Sequence, residues 1–135
     1  MEFSKTTIRI LVRKNYGECF DFYTEKIGLT AVWGNRNGPY TSFATSKNTQ
    51  PCFAIFAAEA MPMFKGYEQP DVSTQPDTTV AVIPTFNLDE DYLRLKEAGV
   101  KFLGEPQYIE SWGMRCTYFR DPEGNLFELN DAENV

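Results

Sequence analysis

The predicted order of strands and helices occurs twice in this chain, and this repeat constrains the fold more than any other feature of the sequence. Residues 7–12 and 78–83 predict strands, and an amphipathic helix follows each of them. The first helix ends at Gly28 and the second at Gly99, and the same offset aligns Ile8 with Thr79 and Phe22 with Leu93. Three short β-prone segments, separated by turn residues, follow each helix. The sequence therefore predicts an α+β fold made of two βαβββ modules.

The predicted bounds place both modules in a single domain that covers residues 1–135. The modules span about 5–57 and 77–131, and a connector, 58–76, joins them. The helices are predicted at 18–29 and 88–98. The remaining strands are predicted at 30–33, 40–45 and 52–56 in the first module, and at 101–103, 114–120 and 125–130 in the second. The connector segment Met61-Pro62-Met63-Phe64 is compatible with a lid over a pocket, a dimer contact or a linker with buried anchors.

Charge and hydropathy narrow the classes of partner. The formal net charge is −6 and the sequence pI is about 4.7, so the chain offers no cationic surface for nucleic acid or an anionic membrane. No apolar run approaches the length of a membrane span, and the first residues lack the apolar core of a signal peptide. These features predict a cytoplasmic protein whose partner is a small organic molecule.

The chain contains no histidine. Histidine is the commonest metal ligand and the usual acid or base near neutral pH, so its absence removes nucleophile–histidine pairs and histidine-based metal sites. The sequence also lacks the glycine-rich phosphate loops and the Gly-x-Ser-x-Gly motif of serine hydrolases. No residue is therefore predicted to be catalytic.

Three stretches of the chain resemble a known family. They are Phe22-Tyr23 with Ile27-Gly28-Leu29, Trp112-Gly113-Met114-Arg115, and Arg120-Asp121-Pro122-Glu123-Gly124-Asn125-Leu126-Phe127-Glu128-Leu129. Over about residues 5–131 the chain resembles the vicinal oxygen chelate superfamily, which includes glyoxalase I, extradiol dioxygenases, fosfomycin-resistance enzymes and bleomycin-resistance proteins. The resemblance implies curved mixed sheets around a cavity, commonly in a homodimer. It indicates architecture more than activity, because this fold has many functions.

In metal-dependent members, the resemblance implies four ligand positions, one on the first and one on the last strand of each module. These positions align here with Thr7 or Ile8, with Ala54, with Thr78 or Thr79, and with Glu128. One carboxylate with threonine hydroxyls falls short of a zinc, magnesium or manganese site. The chain is therefore predicted to hold no metal and no other cofactor.

Glu128 nevertheless requires a partner. Alternation along its strand puts it on the face opposite Phe127 and Leu129, and a buried carboxylate without a partner is costly. Arg9 is the first candidate for an ion pair and Arg115 the second. Contact between Glu128 and a ligand is the alternative role.

Aromatic residues provide the second indication of a site. Trp33, Tyr40, Phe56, Tyr108 and Trp112 are predicted at strand ends or loops near the cavity mouth, where they either stack on a ligand or simply pack. Phe20, Phe22, Tyr23, Phe43, Phe53 and Phe127 are predicted to fill the core. The predicted ligand-binding set is Arg9, Trp33, Tyr40, Phe56, Trp112, Arg115 and Glu128.

Three hypotheses for function follow. The first is a metal-free, homodimeric protein that binds or sequesters an aromatic or cationic small molecule. The second is a metal-dependent lyase or dioxygenase that uses Glu128. The third is a catalytically silent interaction domain.

Overall fold

The chain folds into two units with the same order of elements. The structure, a computed structural model, describes residues 2, 7–45, 50–68 and 77–134. The compact units are Met1–Val72 and Ser73–Val135, and each contains a strand, a helix and three further strands. The predicted α+β fold with two βαβββ modules is confirmed. Residues 5–6 and 46–49 of the first predicted module and 69–76 of the predicted connector lie outside the described residues.

The first unit is built on one four-stranded sheet. Its elements are β1 (Arg9–Val12), α1 (Tyr16–Asp21), a π-helix (Phe22–Ile27), β2 (Thr30–Trp33), β3 (Tyr40–Ala44), β4 (Phe53–Ala57) and a 3₁₀-helix (Ala58–Met63). The strand order is β1-β4-β3-β2, in which β1 and β4 are parallel and the other pairs are antiparallel. The π-helix continues directly from α1 and is capped at Gly28, the predicted helix end.

The second unit repeats this topology. Its elements are β5 (Ala81–Pro84), α2 (Leu88–Glu97), β6 (Gln107–Ile109), β7 (Met114–Arg120), β8 (Leu126–Asn130) and a 3₁₀-helix (Ala132–Asn134). The strand order is β5-β8-β7-β6, again with one parallel pair, β5 and β8. Asn87 caps α2: its side-chain oxygen accepts from the Glu90 backbone N–H, and its amide donates to the Glu90 carboxylate at 2.9 Å.

Aromatic side chains fill the core on one face of each sheet. In the first unit the ring of Tyr23 lies 5.1 Å from that of Phe53 and 5.2 Å from that of Phe43, centroid to centroid. In the second unit Phe119 and Phe127 stack at 5.2 Å. The predicted core residues Phe22, Tyr23, Phe43, Phe53 and Phe127 are buried, and Phe20 is half-buried. Side chains on the opposite face of each sheet therefore do not belong to this aromatic core.

The predicted strand 101–103 is wrong. Phe102 forms only an isolated bridge with Phe119, and the third strand of the sheet is β6, which begins at Gln107. The Ile109 carbonyl accepts from the backbone N–H groups of Trp112 and Gly113, so a tight turn joins β6 to β7 as a hairpin. Tyr108, predicted in a loop, therefore lies within this strand and pairs with Arg115.

The predicted turn 121–124 is confirmed, and Asp121 organises it. The side chain of Asp121 is 5% exposed, and its Oδ1 accepts from the backbone N–H groups of Glu123 at 2.9 Å and Asn125 at 2.8 Å. The Gly124 N–H donates to the Asp121 carbonyl at 2.9 Å. The turn thus positions the start of β8, the strand that carries Glu128.

No described helix is both long and apolar enough to span a bilayer.

Candidate functional site

Four of the predicted site residues meet on one face of the first sheet. Arg9, Trp33, Tyr40 and Phe56 line an open pocket of about 400 Å³. Ser42 and Met63 complete its lining. We call this surface the aromatic face, defined by Arg9, Trp33, Tyr40, Ser42, Phe56 and Met63.

Strand register explains why these side chains share a face. Tyr40 pairs with Phe56 across β3 and β4, and Ser42 pairs with Ala54. On the other side of β4, Arg9 pairs with Ala54. Because paired residues in a sheet point to the same side, Arg9, Ser42 and the two rings project together. Phe43, the next residue after Ser42 on β3, points to the opposite side, where its ring packs against Tyr23 in the core.

A β-bulge places Trp33 on this face. The register shifts between Ala31, which pairs with Phe43, and Trp33, which pairs with Ser42. Without the extra residue Val32, Trp33 would point to the same side as Ala31, because a shift of one residue reverses the face. The bulge therefore turns the tryptophan away from the core side and toward Ser42.

Gly34 allows the chain to close around this bulge. Its φ is +87°, and a Cβ at this position would overlap the Tyr40 carbonyl oxygen and lie 2.8 Å from the Thr41 Cα. Only glycine fits such an approach without movement of the neighbouring strand. Gly34 thus holds the end of β2 against the start of β3, where Trp33 and Tyr40 meet.

The rings on the aromatic face form a connected set. The Trp33 and Tyr40 centroids are 5.6 Å apart with an interplanar angle of 64°, and those of Tyr40 and Phe56 are 6.2 Å apart at 62°. The Arg9 guanidinium carbon lies 5.1 Å from the centre of the Tyr40 ring. Phe56 is 7% exposed and Trp33 is 64% exposed. The pocket therefore has a packed floor and one wall whose apolar surface faces solvent.

Ser42 and Met63 are the lining residues that the sequence analysis did not assign to the site. Ser42 lies two residues after Tyr40 on β3 and therefore on the same face, so strand alternation alone could have indicated it. Met63 ends the 3₁₀-helix after β4 and is 77% exposed. Its place in the lining is compatible with the predicted lid role of the connector segment.

Glu128 is buried in the second unit and satisfied by neighbours in its own sheet. It is 5% exposed, and one carboxylate oxygen accepts from the Tyr118 hydroxyl at 2.6 Å. The other oxygen accepts from the Asn130 amide at 2.8 Å. This short bond to the carboxylate, together with burial, raises the pKa of Tyr118 well above its ordinary value.

The predicted pairing of Glu128 with Arg115 is wrong. Glu128 pairs with Tyr118 across β7 and β8, and Arg115, at odd separation from Tyr118, points to the opposite face of the sheet. There it makes a two-pronged ion pair with Asp89 of α2, with N···O distances of 2.8 and 3.0 Å. The guanidinium holds the pKa of Asp89 below its usual range. We therefore remove Arg115 from the candidate site, and the pairing of Glu128 with Arg9 stays a prediction.

Trp112 lies in the β6–β7 turn and is 52% exposed. It belongs to the second unit, whereas the aromatic face belongs to the first. Its contribution to ligand binding stays a prediction.

The predicted ligand positions on the first strands, Thr7 or Ile8 and Thr78 or Thr79, stay a prediction. In the structure Arg9 pairs with Ala54, and Val82 pairs with Glu128. Alanine, at the position predicted for the carboxylate of the first module, does not coordinate metals, and both oxygens of Glu128 already accept hydrogen bonds. Within residues 2, 7–45, 50–68 and 77–134, no three His, Cys, Asp or Glu side chains are grouped to hold a metal ion. These donors do not fit the metal centre that the resemblance implies.

Comparison with known proteins identifies relatives of this chain. The chain is 27% identical over 123 residues to YraH of Bacillus subtilis (strain 168), an uncharacterized protein, covering 90% of this chain and 93% of that one. It is 31% identical over 112 residues to YetH of the same organism, also uncharacterized, with coverages of 82% and 83%. These two relatives extend over most of the chain without naming an activity.

Solved structures share the fold at lower identity. The lactoylglutathione lyase of Agrobacterium tumefaciens superposes with a TM-score of 0.68 at 15% identity, covering 96% of each chain. TnmS3, an antibiotic binding protein from Streptomyces sp. CB03234, superposes with a TM-score of 0.62 at 22% identity, covering 96% of this chain and 98% of that one. At these identities the likeness concerns the fold alone.

A family match covers most of the chain. Residues 6–129 match the Glyoxalase/Bleomycin resistance protein/Dioxygenase superfamily, which agrees with the two βαβββ units. This protein therefore belongs to the Glyoxalase/Bleomycin resistance protein/Dioxygenase superfamily.

Proposed function

We propose that this protein binds a small, flat organic molecule on the aromatic face, without a metal ion and without catalysing a reaction. The observation that carries the proposal is the exposed ring of Trp33, which stands edge-on to Tyr40 over a packed floor. A large apolar side chain held in the open in this way offers a surface on which a ligand ring can stack.

The cost of holding Trp33 outward supports a binding role. A bulge at Val32 and a glycine at position 34 both serve to keep this side chain off the core side of the sheet. Burying a tryptophan stabilises a fold, whereas exposing one does not, so the arrangement forgoes stability that an ordinary strand would retain. A ligand ring would recover that burial.

The family relationship is compatible with binding and with catalysis. TnmS3 is an antibiotic binding protein, and the Agrobacterium protein is a lactoylglutathione lyase. Site chemistry must therefore decide between them. The residues predicted at the family's four metal positions are Thr7 or Ile8, Ala54, Thr78 or Thr79, and Glu128, and this set favours binding without a metal.

We also propose that the protein is a homodimer. Apolar side chains remain exposed at described positions of both units, including Ile8 at 66%, Val82 at 50% and Phe86 at 65%. Contact with a second copy would cover such residues. Light scattering of the purified protein tests this part, and a monomer at micromolar concentration would contradict it.

The experiment for ligand binding uses neutral ring probes, 2-naphthalenemethanol and 9-anthracenemethanol, titrated by isothermal calorimetry. We expect saturable binding of at least one probe, weakened about tenfold by Trp33→Ala, which is about 1.4 kcal/mol. Phe64→Ala is the matched control, because Phe64 is 62% exposed in the same unit but does not line the pocket. Absence of saturable binding, or equal affinity in Trp33→Ala, would overturn the proposal.

Elemental analysis tests the metal-free part. We expect no stoichiometric metal in protein purified without added ions, and no saturable rise of Tm with zinc, manganese, nickel or iron(II). Stoichiometric metal would favour the alternative hypothesis, a lyase or dioxygenase that uses Glu128.

A further inference from the structure

We infer that the ligand of the aromatic face is an aromatic acid, a flat ring system carrying a carboxylate or similar anionic group that Arg9 binds. This inference rests on the proposed function and narrows it. It also replaces the cationic ligand that the first functional hypothesis left open.

The pocket lining carries one charged side chain, which is positive. Its residues are one arginine, one tryptophan, one tyrosine, one serine, one phenylalanine and one methionine. Arg9 supplies a full positive charge, and none of these side chains is a carboxylate. A cationic ligand would meet a charge of its own sign, whereas an anion would meet its complement.

Arg9 contacts an aromatic ring of its own unit. Its guanidinium carbon lies 5.1 Å from the centre of the Tyr40 ring, and this cation–π contact does not give the N–H donors a carboxylate acceptor. Among the described residues of the first unit, no carboxylate forms an ion pair with Arg9. Both oxygens of Glu128, the carboxylate predicted as its partner, already accept hydrogen bonds from Tyr118 and Asn130. Arg36 of the same unit shows the contrast, because its Nε lies 3.0 Å from an Asp21 carboxylate oxygen.

The guanidinium of Arg9 lies next to the rings on which a ligand would stack. The cation–π contact places the guanidinium 5.1 Å from the centre of the Tyr40 ring, which Trp33 meets edge-on. A planar ligand stacked against Trp33 therefore brings a substituent on its rim toward the arginine. A guanidinium presents parallel N–H groups that match a carboxylate, so the geometry suits a ring with an acid group at its edge.

The net charge of −6 does not reverse this preference. At physiological ionic strength, charges separated by more than about 8 Å are largely screened. A ligand on the aromatic face therefore responds mainly to Arg9, which is within the pocket, and only weakly to carboxylates spread over the rest of the surface.

The experiment compares three ligands that share one ring system and differ in charge: 2-naphthoate, 2-naphthalenemethanol and 2-naphthylmethylammonium. At neutral pH the first is an anion, the second is neutral and the third is a cation. We expect the acid to bind about tenfold more tightly than the alcohol, and the ammonium compound to bind more weakly than the alcohol. Isothermal calorimetry measures all three.

Two arginine variants locate the effect. Arg9→Gln should bring the affinities of acid and alcohol within about twofold of each other, with little change for the alcohol. Arg13→Gln changes the net charge equally in the same unit, does not line the pocket, and should keep the wild-type preference. Arg9→Lys should retain part of the preference, because it keeps the charge and loses the two-pronged geometry.

The outcomes separate this inference from the function on which it rests. Equal binding of all three ligands, or tightest binding of the ammonium compound, with Trp33→Ala still weakening each, would overturn the aromatic acid and leave the binding function standing. A preference for the acid that survives Arg9→Gln would overturn the role of Arg9. No binding that depends on Trp33 would overturn both proposals.

Discussion

The hydroxyl of Tyr118 donates to Oε1 of Glu128 at 2.6 Å, across the antiparallel pair β7–β8. Asn130, two residues further along β8, donates to the second oxygen at 2.8 Å. This buried carboxylate therefore has neutral donors on both oxygens from its own sheet. The carboxylate is therefore satisfied without Arg115 on β7, which the sequence pattern alone could not exclude as its partner.

Replacing Glu128 should show how much its hydrogen bonds contribute. Glu128→Leu leaves the Tyr118 hydroxyl and the Asn130 amide without this acceptor, and we expect a loss of about 2–4 kcal/mol in the free energy of unfolding. Glu128→Gln keeps an acceptor for Asn130 and a donor toward the Tyr118 oxygen, so we expect a loss of about 1 kcal/mol. Urea denaturation measures both, and equal losses would contradict the assigned bonds.

The stability of the protein should fall in alkaline solution partly through Tyr118. The folded state raises the pKa of Tyr118 above its ordinary value of 10.0, first through the bond to Glu128 and then through burial. Above pH 10 the unfolded chain releases the phenol proton and the folded protein retains it, so this stabilisation is full below pH 10 and is lost as pH rises.

Thermal unfolding between neutral and strongly alkaline pH tests this assignment. Wild type should lose more Tm than Tyr118→Phe over the same interval, since the variant has no phenol to titrate. Tyr16→Phe is an informative second variant, because burial raises the pKa of Tyr16 as well. Parallel curves for wild type and Tyr118→Phe would contradict the role of Tyr118.

Gly34 should be intolerant of a side chain. Gly34→Ala introduces both a disfavoured φ of +87° and an overlap with the Tyr40 carbonyl, and we expect a loss of about 2–4 kcal/mol. Gly66→Ala is the matched control, because Gly66 also has positive φ but no atom within 4 Å of the added Cβ. Chemical denaturation compares the two, and similar losses would show that the approach to Tyr40 is not restrictive.

Losing the side chain of Asp121 should destabilise the protein more than losing that of Asp89, an exposed aspartate that forms an ion pair with Arg115. Asp121→Ala removes a buried acceptor for the backbone N–H groups of Glu123 and Asn125, and we expect a loss of about 2–3 kcal/mol. Asp89→Ala removes the ion pair with Arg115, which solvent screens, so its loss should be smaller. The reverse order of the two Tm values would contradict this ranking.

The fold was largely accessible from sequence because its signals are local. Helix ends at Gly28 and Gly99, the strands 30–33 and 114–120, and the turn at Asp121 each depend on residues close together in the chain. The misplaced strand 101–103 shows the limit of such signals. Phe102 is apolar and β-prone, but whether it joins a sheet depends on a hairpin partner supplied by residues 107–109.

In the candidate site, too, the sequence indicates features that depend on neighbouring residues and misses features that depend on distant ones. The sequence by itself determined which residues alternate, and so placed Glu128 on the face opposite Phe127 and Leu129. Tertiary structure alone decided that Trp33 joins Tyr40, through a bulge at Val32, and that Tyr118 rather than Arg115 contacts Glu128. The physical reason is that alternation belongs to one strand, whereas a bulge or a cross-strand partner depends on the register between strands distant in sequence.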